Sequence, residues 1–258
     1  MQDIRIGLIQ ANQIWENKEA NLLNYERLIG NVSSADIYVL PEMFHTGFSM
    51  SAHELAEEEN NSKGLDWLTE MALRKNAAFY TSLIIKSKNG YLNRGVFVEP
   101  NGAVTYYDKR QLFSLAGEDL IYKPGEKLTI LEYKGWLINL QICYDLRFPE
   151  ISRNYLTQSG YPAYDLLIYV ANWPEKRSSH WKSLLIARAI ENQAYVVGVN
   201  RVGTDGNDLS YCGDSCCITP LGEIDFCEKG IEEHKLVLLS KMALNEVRNN
   251  LPFLKDIK

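Results

Sequence analysis

Apolar positions along this chain recur in two rhythms, and their alternation predicts the fold. The run IRIGLIQA over residues 4–11 reads as a strand. It is followed by KEANLLNYERLIGNV over 18–32, where Leu22, Leu23, Tyr25, Leu28 and Ile29 fall near a 3.6-residue period and predict a helix. The run DIYVLPE over 36–42 then reads as a second strand, which completes a β-α-β unit. A second helix is predicted over GLDWLTEMALRKN (64–76). Three strand-like runs come after it, AFYTSLIIKS (78–87), YLNRGVFVEP (91–100) and AVTYYDK (103–109). The turn signals Lys88-Asn89-Gly90 and Pro100-Asn101-Gly102 separate them, so they predict antiparallel hairpins.

The second half repeats the alternation. GWLINLQIC (135–143) reads as a strand, PEISRNYL (149–156) as a helix, DLLIYVANW (165–173) as a strand and HWKSLLIARAIENQ (180–193) as a helix. AYVVGVNRV (194–202) and YCGDSCCITP (211–220) read as strands, and a last hairpin with a short helix over KMALNEVRNN (241–250) ends the pattern. Both halves mix strand-helix-strand units with hairpins, and no Pro/Gly/Ser-rich linker divides them. The expected architecture is α/β with mixed sheets, a four-layer α-β-β-α sandwich in one domain over residues 1–258.

Composition changes this picture little but excludes several functions. Of 258 residues, 46% are hydrophobic and 23% charged, as in ordinary globular proteins. The net charge of −6, with no basic cluster to offset it, argues against a nucleic-acid partner. No stretch holds 18 uninterrupted apolar residues, and MQDIRIGLIQ lacks the pattern of a signal peptide, so neither a membrane nor export is expected. Cys143, Cys212, Cys216, Cys217 and Cys227 are odd in number, which suits free thiols in the cytoplasm better than disulfides. Their spacing matches no zinc pattern, so no metal is expected.

Candidate chemistry sits at strand ends, where side chains leave the core of a mixed sheet and meet solvent. Glu42 follows DIYVLP, Lys109 follows AVTYYD, and Cys143 follows WLINLQI. Taken singly, these are most often a loop carboxylate, a surface charge and a core thiol. Together they supply a base, a cation for an oxyanion, and a nucleophile.

At these residues the sequence resembles the nitrilase superfamily of carbon-nitrogen hydrolases, which share a Glu-Lys-Cys triad in this chain order. The matching stretches are LPEMFHTGF, YDKRQLFSLAGE and CYDLRFPE, with ANWPEKRSSHW and ARAIENQAYVVGVNRVGTDG downstream, so the resemblance spans about residues 4–245. Within the superfamily the stretches look most like the omega-amidase group, which hydrolyses the terminal amide of small dicarboxylic acid monoamides such as 2-oxoglutaramate. The resemblance implies Glu42 as base, Lys109 and the Tyr144 backbone N–H as oxyanion donors, and Cys143 as a nucleophile that forms a thioester. It also implies a second glutamate at Glu118, no cofactor, water as co-substrate, and a homodimer or higher homo-oligomer. Phe44, His45, Phe113, Trp173, Arg177 and His180 are candidates for the substrate pocket, whereas Asp145 and Arg147 read as structural parts of the elbow. Other readings stay open. A nitrilase, a carbamoylase or an amidase for larger amides would keep the same triad, a pseudoenzyme would keep the fold, and a Cys-His hydrolase would pair Cys143 with His45 or His180.

Overall fold

The structure is a computed structural model that describes residues 2–30 and 34–257. Two mixed sheets lie face to face. The first runs Glu233–Leu239, Ile4–Gln10, Ile37–Val39, Ala78–Ser87, Gly90–Val98, Val104–Asp108, with the two-residue strand Glu57–Glu58 beside Ala78–Ser87. The second runs Ile224–Phe226, Cys216–Ile218, Tyr195–Asn200, Leu166–Ala171, Trp136–Ile142, Ile130–Tyr133. The central strands are parallel where a helix joins them, as Leu166–Ala171 and Tyr195–Asn200 are, and antiparallel where a hairpin does; Trp136–Ile142 and Leu166–Ala171 are also parallel, joined by 3₁₀ turns and loop.

The layers follow from which faces are apolar. Ile6, Leu8, Val39, Tyr80 and Phe97 of the first sheet pack against Ile138, Leu140, Ile168 and Val197 of the second, forming the central core. The outer face of the first sheet is covered by helices Lys18–Gly30 and Lys63–Lys75, through Tyr25, Ile29, Trp67, Leu68 and Met71. Helix Ser178–Asn192 covers the second through Trp181, Leu185 and Ala189. The predicted four-layer α-β-β-α order is therefore observed. Gly198 is needed here, because a Cβ on it would stand 2.6 Å from Leu185 and 2.7 Å from Trp181.

The elements depart from the sequence expectation in three places. The helix predicted over 149–156 is a single 3₁₀ turn, Pro149–Ile151, because Asn154 turns its side chain to the Tyr164 and Asn192 carbonyls instead of prolonging a helix. The strand predicted over 211–220 is broken into Ser210–Cys212 and Cys216–Ile218, since Gly213 and Asp214 both take positive φ. Glu233–Leu239 makes no hairpin with Ile224–Phe226. It crosses to the first sheet and pairs with Ile4–Gln10, closing the chain across both sheets. The first helix is described to Gly30, and the predicted continuation over 31–32 lies outside the described residues.

Candidate active site

Three of the strand ends named above converge at one end of the sandwich. Glu42 lies just beyond strand Ile37–Val39, Lys109 one residue past Val104–Asp108, and Cys143 directly past Trp136–Ile142. The side chains of Glu42, Lys109 and Glu118 are all completely buried. Lys109 Nζ donates to Glu42 Oε1 at 2.8 Å and to Glu118 Oε1 and Oε2 at 3.0 and 2.9 Å. Asn93 Nδ2 donates to the same pair, 2.8 Å from Glu42 Oε1 and 3.1 Å from Glu118 Oε1. The other edge of Glu42, Oε2, accepts the Asn172 backbone N–H at 2.9 Å. Glu118 Oε2 accepts the Phe113 N–H at 2.6 Å.

Charge placement follows from this burial. Desolvation opposes the Lys109 ammonium, yet Glu118 and Glu42 outweigh it and hold the pKa above the ordinary lysine value. Burial, opposed by Lys109 and assisted by Glu42, pushes the Glu118 carboxyl up. Burial also pushes the Cys143 thiol well above its ordinary value, with Glu42 adding to the effect and Lys109 opposing it. Burial therefore favours the protonated thiol, which can act as a nucleophile only where a base takes its proton.

Cys143 sits on an elbow. It leaves the strand with φ 44°, a left-handed value uncommon for a residue with a side chain, and enters the 3₁₀ turn Cys143–Arg147. Asp145 fixes the bend: its carboxylate accepts the Ile142 N–H at 2.9 Å, the Gln111 N–H at 2.8 Å and the Tyr107 hydroxyl at 2.8 Å. Burial raises the Asp145 pKa to about 6 despite these donors. Arg188 ties off the turn by donating to the Leu146 carbonyl at 2.6 Å. The thiol lies 3.9 Å from the Asn172 carbonyl oxygen, so Asn172 touches both the candidate base and the candidate nucleophile.

A cleft of about 510 Å³ opens over this cluster, with Lys109 and Cys143 in its wall. Of the pocket candidates Phe113, Trp173 and Arg177 line it, and Tyr144 does too. Arg147, read from sequence as an elbow residue, lines it too. Its guanidinium lies 4.6 Å from the Trp173 ring centre, and Arg177 lies 5.4 Å from that of Phe113. Burial, and then the like charge of Arg177, lower the Arg147 pKa from the usual guanidinium value. Among the described residues neither arginine has a carboxylate within ion-pair distance. Trp15, Phe48, Met50 and Tyr211 contribute the apolar and aromatic remainder of the wall.

The other pocket candidates lie elsewhere. Phe44 is buried under the first sheet beside Tyr25 and Trp67, because the turn after Glu42 points it into the helix-covered core. His45 stacks on Phe44 at 4.8 Å and its Nε2 meets Glu57 Oε1 at 3.0 Å. Glu57 also accepts from Lys18 at 2.8 Å and Ser62 at 2.6 Å, which makes this a structural cluster behind the site. His180 is exposed on the first turn of its helix, with Nδ1 3.4 Å from the Arg147 guanidinium, and does not line the cleft. The structure thus brings neither histidine to Cys143. Sequence reasoning missed Asn93, Asn172 and the pocket position of Arg147. Asn172 follows strand Leu166–Ala171, so the strand-end rule that selected Glu42, Lys109 and Cys143 also applied to it.

An elbow thiol beside a buried Glu-Lys-Glu cluster on an α-β-β-α sandwich, with no histidine in the cleft wall among the described residues, is the setting of a hydrolase. The carbon-nitrogen hydrolase family profile matches residues 5–248, and the chain belongs to that family, whose members hydrolyse carbon-nitrogen bonds. It is 44% identical to the omega-amidase YafV of Escherichia coli (strain K12), over 99% of this chain and 97% of that one. It is 34% identical to the 2-oxoglutaramate amidase of Bacillus subtilis (strain 168), over 98% and 97%. Among solved structures, a CN-hydrolase superfamily protein of Xanthomonas campestris with an arsenic adduct in its active site superposes with a TM-score of 0.97. The two are 40% identical, over 100% of this chain and 98% of that one.

Proposed function

We propose that this protein is an omega-amidase, which hydrolyses the terminal amide of a small dicarboxylic acid monoamide such as 2-oxoglutaramate to the acid and ammonia. The observation that carries the reading is the pair Arg147 and Arg177, two guanidinium groups in the wall of the Cys143 cleft with no acidic partner among the described residues. Two uncompensated cations in a half-enclosed site are suited to a substrate carboxylate, and Arg offers it a planar pair of donors. The identities to amidases of this kind support the same reading.

In this mechanism Glu42 takes the Cys143 proton while sulfur attacks the amide carbon. The oxyanion is held by the Lys109 ammonium and the Tyr144 N–H, which lies in the first turn of the 3₁₀ segment where amides lack a partner within the turn. Glu42 returns the proton to the leaving nitrogen, ammonia departs, and a thioester remains on Cys143. Water, deprotonated by Glu42, attacks the thioester carbon and releases the acid and the thiol. Glu118 keeps Lys109 charged and in place through two hydrogen bonds. The arsenic adduct in the active site of the Xanthomonas relative is what a soft nucleophile such as a thiolate would take up.

Ammonia release from 2-oxoglutaramate, succinamate and glutaramate tests the substrate class. Arg177→Met is expected to raise KM for these acids roughly 10-fold or more, the scale of a charge-assisted hydrogen bond, with kcat little changed. Turnover of a neutral amide of equal length is expected to be unaffected. An equal loss on charged and neutral amides would remove Arg177 from carboxylate binding.

The reading also includes a cytoplasmic homodimer. No helix among the described residues is long and apolar enough to cross a membrane, and all five cysteines are free and buried. Ile190 and Leu221, half exposed on and beside helix Ser178–Asn192, and Met242 and Phe253 near the chain end offer apolar surface for a second copy. Light scattering is expected to give twice the 29.5 kDa chain mass, and a monomer at micromolar concentration would overturn the dimer. Cell fractionation tests the compartment.

A further inference from the structure

We infer that Asn93 is a positioning residue for catalysis, whose side-chain amide saturates one edge of Glu42 and so leaves the other edge to receive the thiol proton. The inference rests on the reading of Glu42 as the base for Cys143. It gives a role to a residue on strand Gly90–Val98 that none of the strand-end arguments reached.

A carboxylate oxygen has two lone-pair sites. Glu42 Oε1 fills both, with Lys109 Nζ at 2.8 Å and Asn93 Nδ2 at 2.8 Å. Oε2 accepts one donor, the Asn172 N–H, and keeps a free site. Asn172 is also the residue whose carbonyl oxygen lies 3.9 Å from Cys143 Sγ, so the residue that meets the free edge of Glu42 meets the thiol as well. Without Asn93, Oε1 gains an open site facing Glu118, and the carboxylate has two inequivalent places for a proton instead of one.

The amide is suited to this position on chemical grounds. Its two N–H bonds reach two carboxylates at once, Glu42 Oε1 and Glu118 Oε1, and it adds no charge. A lysine there would neutralise the base, and an aspartate would place a third anion in a buried site. Asn93 is 1% exposed, and its Oδ1 has no hydrogen-bond partner among the described residues, so the two N–H bonds and the backbone hold the side chain. Its backbone carbonyl accepts the Lys109 N–H at 3.0 Å, so one residue orients both carboxylates and the segment that bears the lysine. The titratable groups that face the cluster are Glu42, Lys109, Glu118, Cys143, Asp145, Tyr122 and Tyr80.

Asn93→Ala and Asn93→Ser test the inference, each normalised to the fraction of folded protein with a reactive thiol. The serine variant keeps one donor, and it is read alone if the alanine variant does not fold. The expected result for alanine is a fall in kcat of roughly 10- to 100-fold, the scale of a lost hydrogen bond to a charged group, with KM within about threefold of wild type. Serine is expected to fall between alanine and wild type. The acid limb of kcat/KM, and that of Cys143 alkylation by iodoacetamide, are expected to move to higher pH, because the cluster loses a donor that favours charged carboxylate. Per-site rates within threefold of wild type with an unmoved acid limb would overturn the inference, as would a loss confined to KM. Alkylation needs no amide substrate, so failure of the omega-amidase assignment, seen as wild-type silence on the dicarboxylate monoamides, is separate from failure at Asn93.

Discussion

Cys143→Ala is expected to lower ammonia release by at least about 10³-fold, since removing the nucleophile of a covalent mechanism leaves only binding and oxyanion donors to act on water. The fold should survive. Cys143 is 9% exposed and makes one long contact to the Asn172 carbonyl, so alanine removes a sulfur from the cleft wall and leaves the core intact. The Asp145 bonds that fix the elbow do not involve the thiol. Intact-mass measurement during turnover is expected to show an acyl adduct on the wild type and none on the variant. A variant that still releases ammonia at a tenth of the wild-type rate would exclude the thioester route. A silent wild type that nonetheless takes up a nitrile or carbamoyl compound on Cys143 would keep the route and change the substrate. Silence and no adduct with any of them would favour a pseudoenzyme.

Lys109→Met is expected to damage both activity and stability, because one ammonium serves two tasks. Loss of an oxyanion donor costs about 10² to 10³ in rate. Its removal also leaves Glu42 and Glu118, both fully buried, facing each other with no cation between them. Breaking a buried pair on one side costs about 3–5 kcal/mol, until one carboxyl takes up a proton. The pH dependence follows from that proton. In the variant the paired carboxylates are harder to ionise in the folded than in the unfolded chain, so the folded state binds more protons and stability falls as pH rises. The gap in Tm between wild type and Lys109→Met is therefore expected to be wide at pH 8 and to narrow toward pH 5. Adding Glu118→Gln should recover much of the stability at neutral pH by removing one anion, and none of the activity. Recovery of activity in the double variant would show that Lys109 only balances charge.

The substrate end of the cleft and its chemical end are built differently. Glu42, Lys109, Glu118 and Asn93 are locked by direct hydrogen bonds beneath the cleft floor, which keeps their geometry fixed as charge moves. Arg147 and Arg177 rest on aromatic faces at the rim, where each can still turn to meet a carboxylate. A cleft of this kind can hold its catalytic groups constant and vary its specificity through the rim.

The sequence alone determined the architecture and brought forward Glu42, Lys109 and Cys143 as a candidate trio. Period-2 and period-3.6 apolar runs depend only on which faces are buried, so the strand-helix-strand units and the four layers could be read from hydropathy, and a base, a cation and a thiol at strand ends could be found by position. The tertiary structure decided everything that depends on contact across distant segments. Only folding places Asn93 between Glu42 and Glu118, since the three come from separate segments and an asparagine inside a strand has no periodic signature. Only folding turns Phe44 and His45 into the core while their neighbour Glu42 joins the site, a choice made by the turn after Pro41 and by Glu57, which holds the imidazole. Arg147 reached the cleft wall for a similar reason: its elbow neighbour Asp145 is held by Ile142, Gln111 and Tyr107, and the guanidinium packs on Trp173 instead. Local patterns record which side chains are buried, whereas the partner each buried polar group finds is settled by the packing of the whole chain.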